Sequence, residues 1–493
     1  MIPVTPQTLP LGRPARRLAA AGAAALALTA LTGTTAGAIG PRPVSGQSPV
    51  SGTGSGPTVD GGTLGSVGGT TYPSAADPGW VPVTAAPPAA GLTALPVRIV
   101  RVATTAQLTA ALAAPRPGDR IELATGTYAG PVTLKGSGTA DHPVVVAAAA
   151  GATPVIATPN QRYPSCGATG PDEDKTLSFM QGASHWVLTG LTIRGGVKIS
   201  SLGADEVQNW QKAMINTHNW AARRGVPGAS YPANPAASRT LRSYFAGVTG
   251  KPLAPTQDIQ LLGNTLTGKG VFGRFSEWGV IAGNTITDIA CGTGPALWLA
   301  NYSHGNLIAD NDVSHVATST ASHYMQEGIR LGNGSDYNVV AGNKVHDLDR
   351  NGRAFTTDQD SSFNLFTSNV ADNVTIGFNE QQSGWGNTWT LNVANRASSA
   401  AFSFRMEDVR LAAPSKDTSS YYTVVTCNIA TNSAVDLQAG AMAGATFRGN
   451  SFGRIAIGQA LAGYWSGQGD RWNDTSLAPR STPSGSAPAA TGC

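Results

Sequence analysis

Charged side chains recur at matching positions of several short segments in which apolar and polar residues alternate. In GIRLGN at 328–333, Ile329 and Leu331 are expected to face a core, which turns Arg330 toward solvent. The same alternation predicts an exposed position for a wider set: Lys198, Arg274, Trp298, Thr356, Asp358, Asp360, Asn379, Arg405, Glu407 and Asp436. Cations beside carboxylates suit abstraction of a proton next to a carboxylate group, because that reaction needs a base and a neutralising charge together.

Charge and position assign candidate roles within this set. Arg330 is the preferred base because it lies between Glu327 and the segment that carries Asp358, and arginine acts as a base only where its neighbours lower its pKa. The candidate catalytic residues are Arg330, Lys198 and Arg405. The candidate substrate-binding residues are Trp298, Arg274, Arg353 and Asn379, and the candidate ligands for a calcium ion are Asp358, Asp360 and Glu327. The competing interpretation is that alternating charges only keep an exposed sheet soluble.

The elements that position these residues are revealed by an asparagine that ends a recurring seven-residue frame, as in DIQLLGN and YNVVAGN. The column contains Asn264, Asn284, Asn311, Asn343, Asn369, Asn392, Asn428 and Asn450, and Leu191 takes the slot in a further copy. Successive asparagines are 20 to 36 residues apart, which fits a coil of three short strands with one turn of variable length. We predict an all-β fold, a single-stranded right-handed parallel β-helix of about ten coils, in which the stacked amides form a ladder.

The remaining segments predict how the chain is organised. A basic start, an apolar run and Ala36-Gly37-Ala38 indicate a signal peptide over 1–38, so we expect a secreted protein exported by the general or the twin-arginine route. Residues 39–95 read as a flexible Gly/Ser/Pro/Thr-rich linker, 96–478 as the β-helix and 479–493 as a tail. Within the β-helix, 201–257 has helical spacing and is predicted to be an inserted lid.

A short helix is expected to cap the first coil, beginning after Thr104 or Thr105 and burying Leu108 and Leu112. Four cysteines in an exported chain allow two disulfides, for which we favour Cys166 with Cys291 and Cys427 with Cys493, although all three connectivities stay open. Loss of the signal peptide lowers the formal charge from +4 to +1, and no dense basic run remains. This argues against nucleic acid or a membrane as partner, and we expect a monomer.

The pattern over 97 to about 460 resembles the secreted right-handed β-helix proteins of the pectate lyase-like superfamily, which include pectate lyases, chondroitinase B and alginate lyases. The segment that runs from TTAQLTAALAA to ADHPVVV (104–146) is similar to the N-terminal cap and first coil of several such polysaccharide lyases. The resemblance implies an extracellular polysaccharide bound in a groove along one sheet. The chain departs from the known motifs of these families. It lacks the RxPxxR segment of the main pectate lyases, and it lacks the carboxylate pair with Lys-Ser and Arg-His-Gly of chondroitinase B. The Asn-Thr-Asp, Asp-Asp and Arg-x-Lys set of polygalacturonases is also missing, although His304-Gly305 occurs.

Three functions are compatible with these features. The first is a lyase that cleaves a uronate-containing polysaccharide by β-elimination, with an arginine or lysine base and calcium. The second is an inverting glycoside hydrolase that uses a pair such as Asp358 and Asp436, whose carboxyl groups would have to lie roughly 6.5 to 9.5 Å apart. The third is a non-catalytic carbohydrate-binding or surface protein, because a stacked β-helix is by itself a good binding scaffold.

Overall fold

A computed structural model describes residues 65–67, 70–72, 96–158, 175–179, 182–200, 255–289, 295–301, 303–316, 326–348, 352–358, 361–381, 386–404, 420–421, 423–439, 442–443, 445–457 and 471–472. The predicted signal peptide, the C-terminal tail and residues 201–254 of the predicted insertion lie outside these ranges. So do Asp360, Arg405 and Glu407.

The described chain forms parallel strands in three rows, and a complete coil passes once through each row. The strands of row 1 are Arg98–Val102, Asp119–Leu123, Val144–Ala148, Ser184–Thr189, Thr256–Leu262, Val280–Ala282, Leu307–Ala309, Val339–Ala341, Leu365–Thr367, Thr388–Thr390, Val424–Thr426 and Thr446–Arg448. These twelve strands pair in parallel in chain order, so the predicted β-helix is confirmed with slightly more coils than the expected ten. Ser276–Glu277 also pairs with Thr256–Leu262.

Rows 2 and 3 belong to one second sheet. Row 2 contains Gly126–Ala129, Pro154–Ala157, Thr192–Arg194, Thr265–Gly268, Thr285–Ile289, Asp312–Val316, Lys344–His346, Ile429–Thr431, Ser451–Phe452 and Arg471–Trp472. Row 3 contains Val132–Leu134, Leu177–Phe179, Val197–Ser200, Val271–Arg274, Leu297–Ala300, Glu327–Leu331, Arg353–Thr357, Leu437–Ala439 and Ile455–Ile457. Two long strands, Val370–Glu380 and Val393–Phe404, run through both rows. The turn between row 2 and row 3 varies in length, but so does the turn between row 3 and row 1, which joins Glu380 to Thr388 in one coil and Phe404 to Val424 in another. The expectation of a single variable turn is therefore wrong.

The predicted asparagine ladder lies at the corner between row 1 and row 2. From Asn264 to Asn450, each Nδ2 donates to the Oδ1 of the next asparagine over 2.8–3.1 Å. Each of these Oδ1 atoms also accepts the backbone N–H of the preceding asparagine. The residue before each asparagine has a φ of 52° to 66°, which explains why glycine is common there: a left-handed bend suits a residue without a Cβ.

Leu391 occupies this bend although leucine is poorly suited to it. Its φ is 57° and its side chain is 40% exposed, so replacement by asparagine relieves backbone strain without emptying the core. We expect Leu391→Asn to raise the free energy of unfolding by about 1 kcal/mol, measured by chemical denaturation. Leu307→Asn is the control because Leu307 lies in an ordinary strand and is half-buried; equal effects of the two variants would contradict the strain argument.

A second asparagine ladder, which the sequence analysis did not predict, lies at the corner between row 3 and row 1. Asn306, Asn338, Asn364 and Asn387 join through Nδ2-to-Oδ1 bonds of 2.9 to 3.2 Å. Three residues earlier in the turn, the hydroxyls of Ser303 and Ser335 donate to the carbonyls of Ala300 and Gly332 at 2.8 Å. This corner therefore fixes where the strands of row 3 end.

The core lies between the three rows, and a helix closes its first coil. Phe366 stacks on Trp389 at 4.0 Å between ring centroids, and Phe355, Phe378 and Phe402 stack in row 3 at 4.8–4.9 Å. The helix is Thr105–Ala113, and Thr104 is its N-cap, so this prediction is confirmed. The buried face consists of Leu108 and Leu112. Among the described residues, no helix is long and apolar enough to cross a membrane.

Three details differ from the expectation or add to it. The predicted insertion 201–257 ends earlier, because the strand Thr256–Leu262 already belongs to row 1. The predicted linker 39–95 contains an antiparallel pair, Gly65–Val67 with Thr70–Tyr72. Cys427 is disulfide-bonded, and the predicted pairings involve cysteines outside the described residues, so they stay predictions.

Candidate functional site

One register position of row 3 carries a column of side chains that point away from the core. It consists of Ser178, Lys198, Phe272, Trp298, Arg330, Thr356, Asn379, Ser403 and Gln438, and we call it the site column. Its strand neighbours Ile329 and Leu331 belong to the core. The alternation argument is therefore confirmed for Lys198, Trp298 and Arg330, and also for the next two residues of the column.

The expected exposure is wrong for all of these side chains except Lys198, which is half-buried. Arg330 is 7% exposed, Trp298 8%, and Thr356 and Asn379 are fully buried. Asp358 follows directly after the strand that carries Thr356 and is 3% exposed. Strand alternation determines which way a side chain points, but it carries no information about what lies over the side chain, so the prediction of direction succeeded and that of exposure failed.

Arg330 is the centre of a buried ion cluster. Its Nη1 donates to Oε2 of Glu327 at 2.7 Å, and its Nη2 donates to Oδ2 of Asp358 on the next coil. Arg353 Nη1 lies 3.8 Å from Oε1 of Glu327. The guanidinium of Arg330 also lies 5.1 Å from the ring centre of Trp298, which the cation–π attraction favours. Two cations and two carboxylates thus balance in charge.

The pKa values of this cluster reverse the roles predicted for its members. Burial alone would lower the pKa of Arg330, but the charges of Asp358 and Glu327 outweigh it and hold that pKa above its ordinary value. Arg330 therefore keeps its proton, which contradicts its assignment as the base. Burial raises the pKa of Asp358 to about 6, against the opposing effect of Arg330. A carboxyl group with such a pKa exchanges a proton near neutral pH.

One oxygen of Asp358 has no hydrogen-bond partner in the described part of the chain. Asp358 Oδ1 and Trp298 Nε1 are both buried, and neither has a hydrogen-bond partner in the described part of the chain. Both atoms approach the backbone of Gly332: a Cβ there would lie 2.6 Å from Oδ1 and 3.1 Å from Nε1. An unpaired acceptor, Asp358 Oδ1, and an unpaired donor, Trp298 Nε1, therefore both lie beside Gly332, which has no side chain.

The predicted calcium ligands do not fit a metal ion. Glu327 and Asp358 both bind the guanidinium of Arg330, so a cation already lies between their carboxylates. Asp360 lies outside the described residues. Among the residues that the structure does describe, no group of three or more His, Cys, Asp or Glu side chains could hold a metal ion.

The remaining predicted site residues lie at different distances from this cluster. Arg274 is buried over the ring of Phe272, 4.5 Å from its centre. Lys198 lies three strands before Arg330 in the site column, about 14 Å away at the usual strand spacing. Asn379 lies two strands after Arg330. The structure therefore brings together Glu327, Arg330, Arg353, Asp358 and Trp298, whereas Arg405 falls outside the described residues.

The carboxylate pair suggested for a hydrolase is too far apart. Asp436 is three strands from Asp358 and offset by four positions along the strand, about 19 Å at the usual strand dimensions. Its Oδ2 accepts the backbone N–H groups of Gly453 at 2.6 Å and Arg454 at 3.0 Å. Asp436 therefore stabilises a turn, and the predicted Asp358–Asp436 pair is wrong.

Comparison with known proteins gives matches among solved structures. No protein-family model and no curated protein sequence matches the chain. An alginate lyase from Paenibacillus sp. str. FPU-7 matches with 12% identity and a TM-score of 0.40 over 76% of this chain and 99% of that one. The periplasmic alginate epimerase AlgG matches with 13% identity and a TM-score of 0.46 over 72% and 76% of the two chains. An exopolygalacturonase from Thermotoga maritima matches with 12% identity and a TM-score of 0.46 over 77% and 92%. They are β-helix proteins of the kind that the sequence resembles, and likeness at this level of identity concerns the fold alone.

Proposed function

We propose that this protein is a secreted polysaccharide-active enzyme that cleaves a uronate-containing polymer by β-elimination, with Asp358 as the base. The observation that carries the proposal is the state of the Asp358 carboxyl group. It is buried, its pKa is raised to about 6, one oxygen is ion-paired with Arg330 and the other has no partner among the described residues. A base of this pKa is deprotonated at neutral pH and still accepts a proton readily.

The arginines supply the positive charge that the reaction needs. When Asp358 Oδ1 takes the proton next to the uronate carboxylate, negative charge accumulates on that carboxylate. Arg330 and Arg353 lie in the same cluster, and the ion pairs of Arg330 fix its orientation before substrate arrives. The electron pair released from the C–H bond forms a carbon–carbon double bond and the glycosidic C–O bond breaks. The leaving oxygen takes a proton from water, and the hydroxide that remains takes the proton from Asp358.

A non-catalytic carbohydrate-binding protein is the second candidate. The observation that favours it is the row of buried polar groups in the site column, which continues past Asp358 and suits a ligand rich in hydroxyl groups. Binding along this row needs no proton transfer. The two candidates therefore differ only in whether Asp358 reacts.

One assay separates these candidates. The purified protein is incubated with a panel of polyuronates, uronate-containing heteropolymers and neutral glycans, with and without a calcium chelator. Ultraviolet absorbance from an unsaturated sugar end supports elimination. We expect it to survive the chelator, because the guanidinium of Arg330 already binds the carboxylates of Glu327 and Asp358. New reducing ends without that absorbance would show hydrolysis instead, and binding with neither product would show a binding protein.

The pH dependence of activity tests the role of Asp358. A base reacts only when deprotonated, so kcat/KM should rise with pH through an apparent pKa near 6 and then level off. The measurement is kcat/KM on a cleaved polymer from about pH 4.5 to about pH 8, over which a group with this pKa changes state. An opposite profile, in which activity falls as pH rises through 6, would mean that Asp358 acts as an acid.

A further inference from the structure

The site column becomes uncharged beyond Arg330. Thr356, Asn379, Ser403 and Gln438 follow on successive strands, each in register with the one before. Neighbouring strands are about 4.8 Å apart, so the four side chains extend over about 14 Å. The first three are fully buried and Gln438 is half-buried.

The polar atoms of this row are without hydrogen-bond partners. Within the described part of the chain, none is found for Thr356 Oγ1, Ser403 Oγ, Gln438 Oε1 or either polar atom of Asn379. Leaving a buried donor or acceptor unpaired costs about 1–3 kcal/mol. Several such atoms on consecutive coils therefore weaken the fold.

The same coils satisfy their amides elsewhere, so the row is not a general failure of packing. Asn364 lies on a coil of this row and is equally buried, yet its Nδ2 donates to Asn387 at 3.2 Å and to the carbonyl of Ser335 at 3.0 Å. Its Oδ1 accepts the N–H of Asn338 at 2.9 Å. These coils pair the amides of their asparagine ladders but leave the polar atoms of the outward column unpaired, which points to a ligand for that column.

We propose that Thr356, Asn379 and Ser403 form a subsite for a neutral, hydroxyl-rich sugar next to Asp358. It rests on the proposed function and names the substrate class: a heteropolymer in which the reacting uronate adjoins neutral sugars. Asn379 offers one donor pair and one acceptor, and Gln438 Oε1 is a further acceptor. Hydroxyl groups can both donate to and accept from these amides and hydroxyls, whereas an ionised carboxylate buried here would meet acceptors and have no cation from the row to balance its charge.

The test is Asn379→Leu, which has nearly the same shape and removes both polar atoms. Binding is measured by calorimetry in an Asp358→Asn background, so that the sugars are not consumed. The probes are a hexasaccharide that alternates glucuronate with a neutral hexose and a hexasaccharide of uronate alone. We expect the Asp358→Asn protein, in which Asn379 is intact, to bind the alternating probe more tightly than the uronate probe. Adding Asn379→Leu should weaken binding of the alternating probe about tenfold or more, while affinity for the uronate probe stays within about twofold.

Two further variants separate binding from folding. Ser403→Ala removes a hydroxyl from the same row and should weaken binding of the alternating probe by about threefold to tenfold. Asn387→Leu makes the same chemical change as Asn379→Leu but in the satisfied ladder, so it should lower the melting temperature and leave the affinity of the folded protein unchanged. Asn379→Leu should leave the melting temperature unchanged or raise it, because it removes unpaired polar atoms.

The neutral-sugar subsite would be overturned if the Asp358→Asn protein bound both probes with equal affinity. It would also be overturned if adding Asn379→Leu weakened binding of both probes equally. Failure of the proposed function looks different: wild-type protein would release no unsaturated product from any polymer, whereas these binding measurements do not depend on turnover.

Discussion

Replacing Asp358 by asparagine is expected to lower kcat by about 10²- to 10⁴-fold on any uronate polymer that the protein cleaves. Asparagine has the same shape as aspartate and can still accept a hydrogen bond from Arg330, but it cannot take up a proton. Arg330 keeps its bond to Glu327 in the variant, which holds the guanidinium in place. KM should change little, because the lost interaction is with the transferred proton and not with the bound sugar.

The matched control is Asp310→Asn. Asp310 is exposed at the corner between row 1 and row 2, and its φ of 52° suits asparagine as well as aspartate. The control should keep full activity, and both proteins are checked to be folded at the assay temperature. Asp358→Asn activity within about threefold of wild type would exclude Asp358 as the base, since positioned proton transfer contributes at least about 10²-fold.

The sequence was sufficient to predict the coils because their corners depend on local chemistry. Asn264, Asn311 and Asn343 repeat one frame, and a buried amide that bonds to its own copies can be recognised without knowing the rest of the fold. The second ladder could have been found in the same way. In GNLIADN and YNVVAGN, another asparagine stands five residues before the aligned one, at Asn306 and Asn338. An alignment on the last position of the frame alone does not reveal this second column.

The site was predictable in direction but not in chemistry. Alternation alone places Arg330, Trp298 and Asn379 in one outward column. The role of Arg330 depends on its burial and on a carboxylate 28 residues away on the next coil, and neither follows from alternation. The prediction of Asp358 as a metal ligand is wrong for the same reason. A carboxylate with a raised pKa and a carboxylate that binds calcium look alike in a sequence. Only the guanidinium of Arg330 between Asp358 and Glu327 shows which of the two Asp358 is.

Removing the charge of Arg330 is expected to have the largest effect on stability. Arg330→Met leaves the carboxylates of Glu327 and Asp358 buried without the cation between them. Breaking a buried ion pair in this way lowers the free energy of unfolding by about 3–5 kcal/mol. The half-exposed pair of Arg396 with Asp372 provides the control, because Arg396→Met breaks a 2.6 Å ion pair of the surface type, worth about 0–1 kcal/mol. Chemical denaturation at pH 7 measures both variants.

The deficit of Arg330→Met should also depend on pH in a defined direction. The folded-state pKa of Asp358, about 6, exceeds the value of about 3.9 for an unfolded aspartate. The contribution of Asp358 to stability is therefore fully present below a pH of about 3.9 and is lost as the pH rises through about 6. Without Arg330 that folded-state pKa rises further, because burial is then opposed by less positive charge. The variant should therefore be least stable relative to wild type at pH 7 and recover part of the difference near pH 5, as Asp358 takes up a proton.

Combining Arg330→Met with Asp358→Asn should restore part of the stability at pH 7, since the double variant no longer buries the charge of Asp358. In that double variant the pH-dependent recovery should largely disappear, because the group that titrates is gone. A deficit of less than about 1 kcal/mol for Arg330→Met, or one that grows as pH falls, would mean that the cluster is solvated in the folded protein. Asp358 would then have no reason for a raised pKa, and the proposed base would lose its physical basis together with the ion cluster.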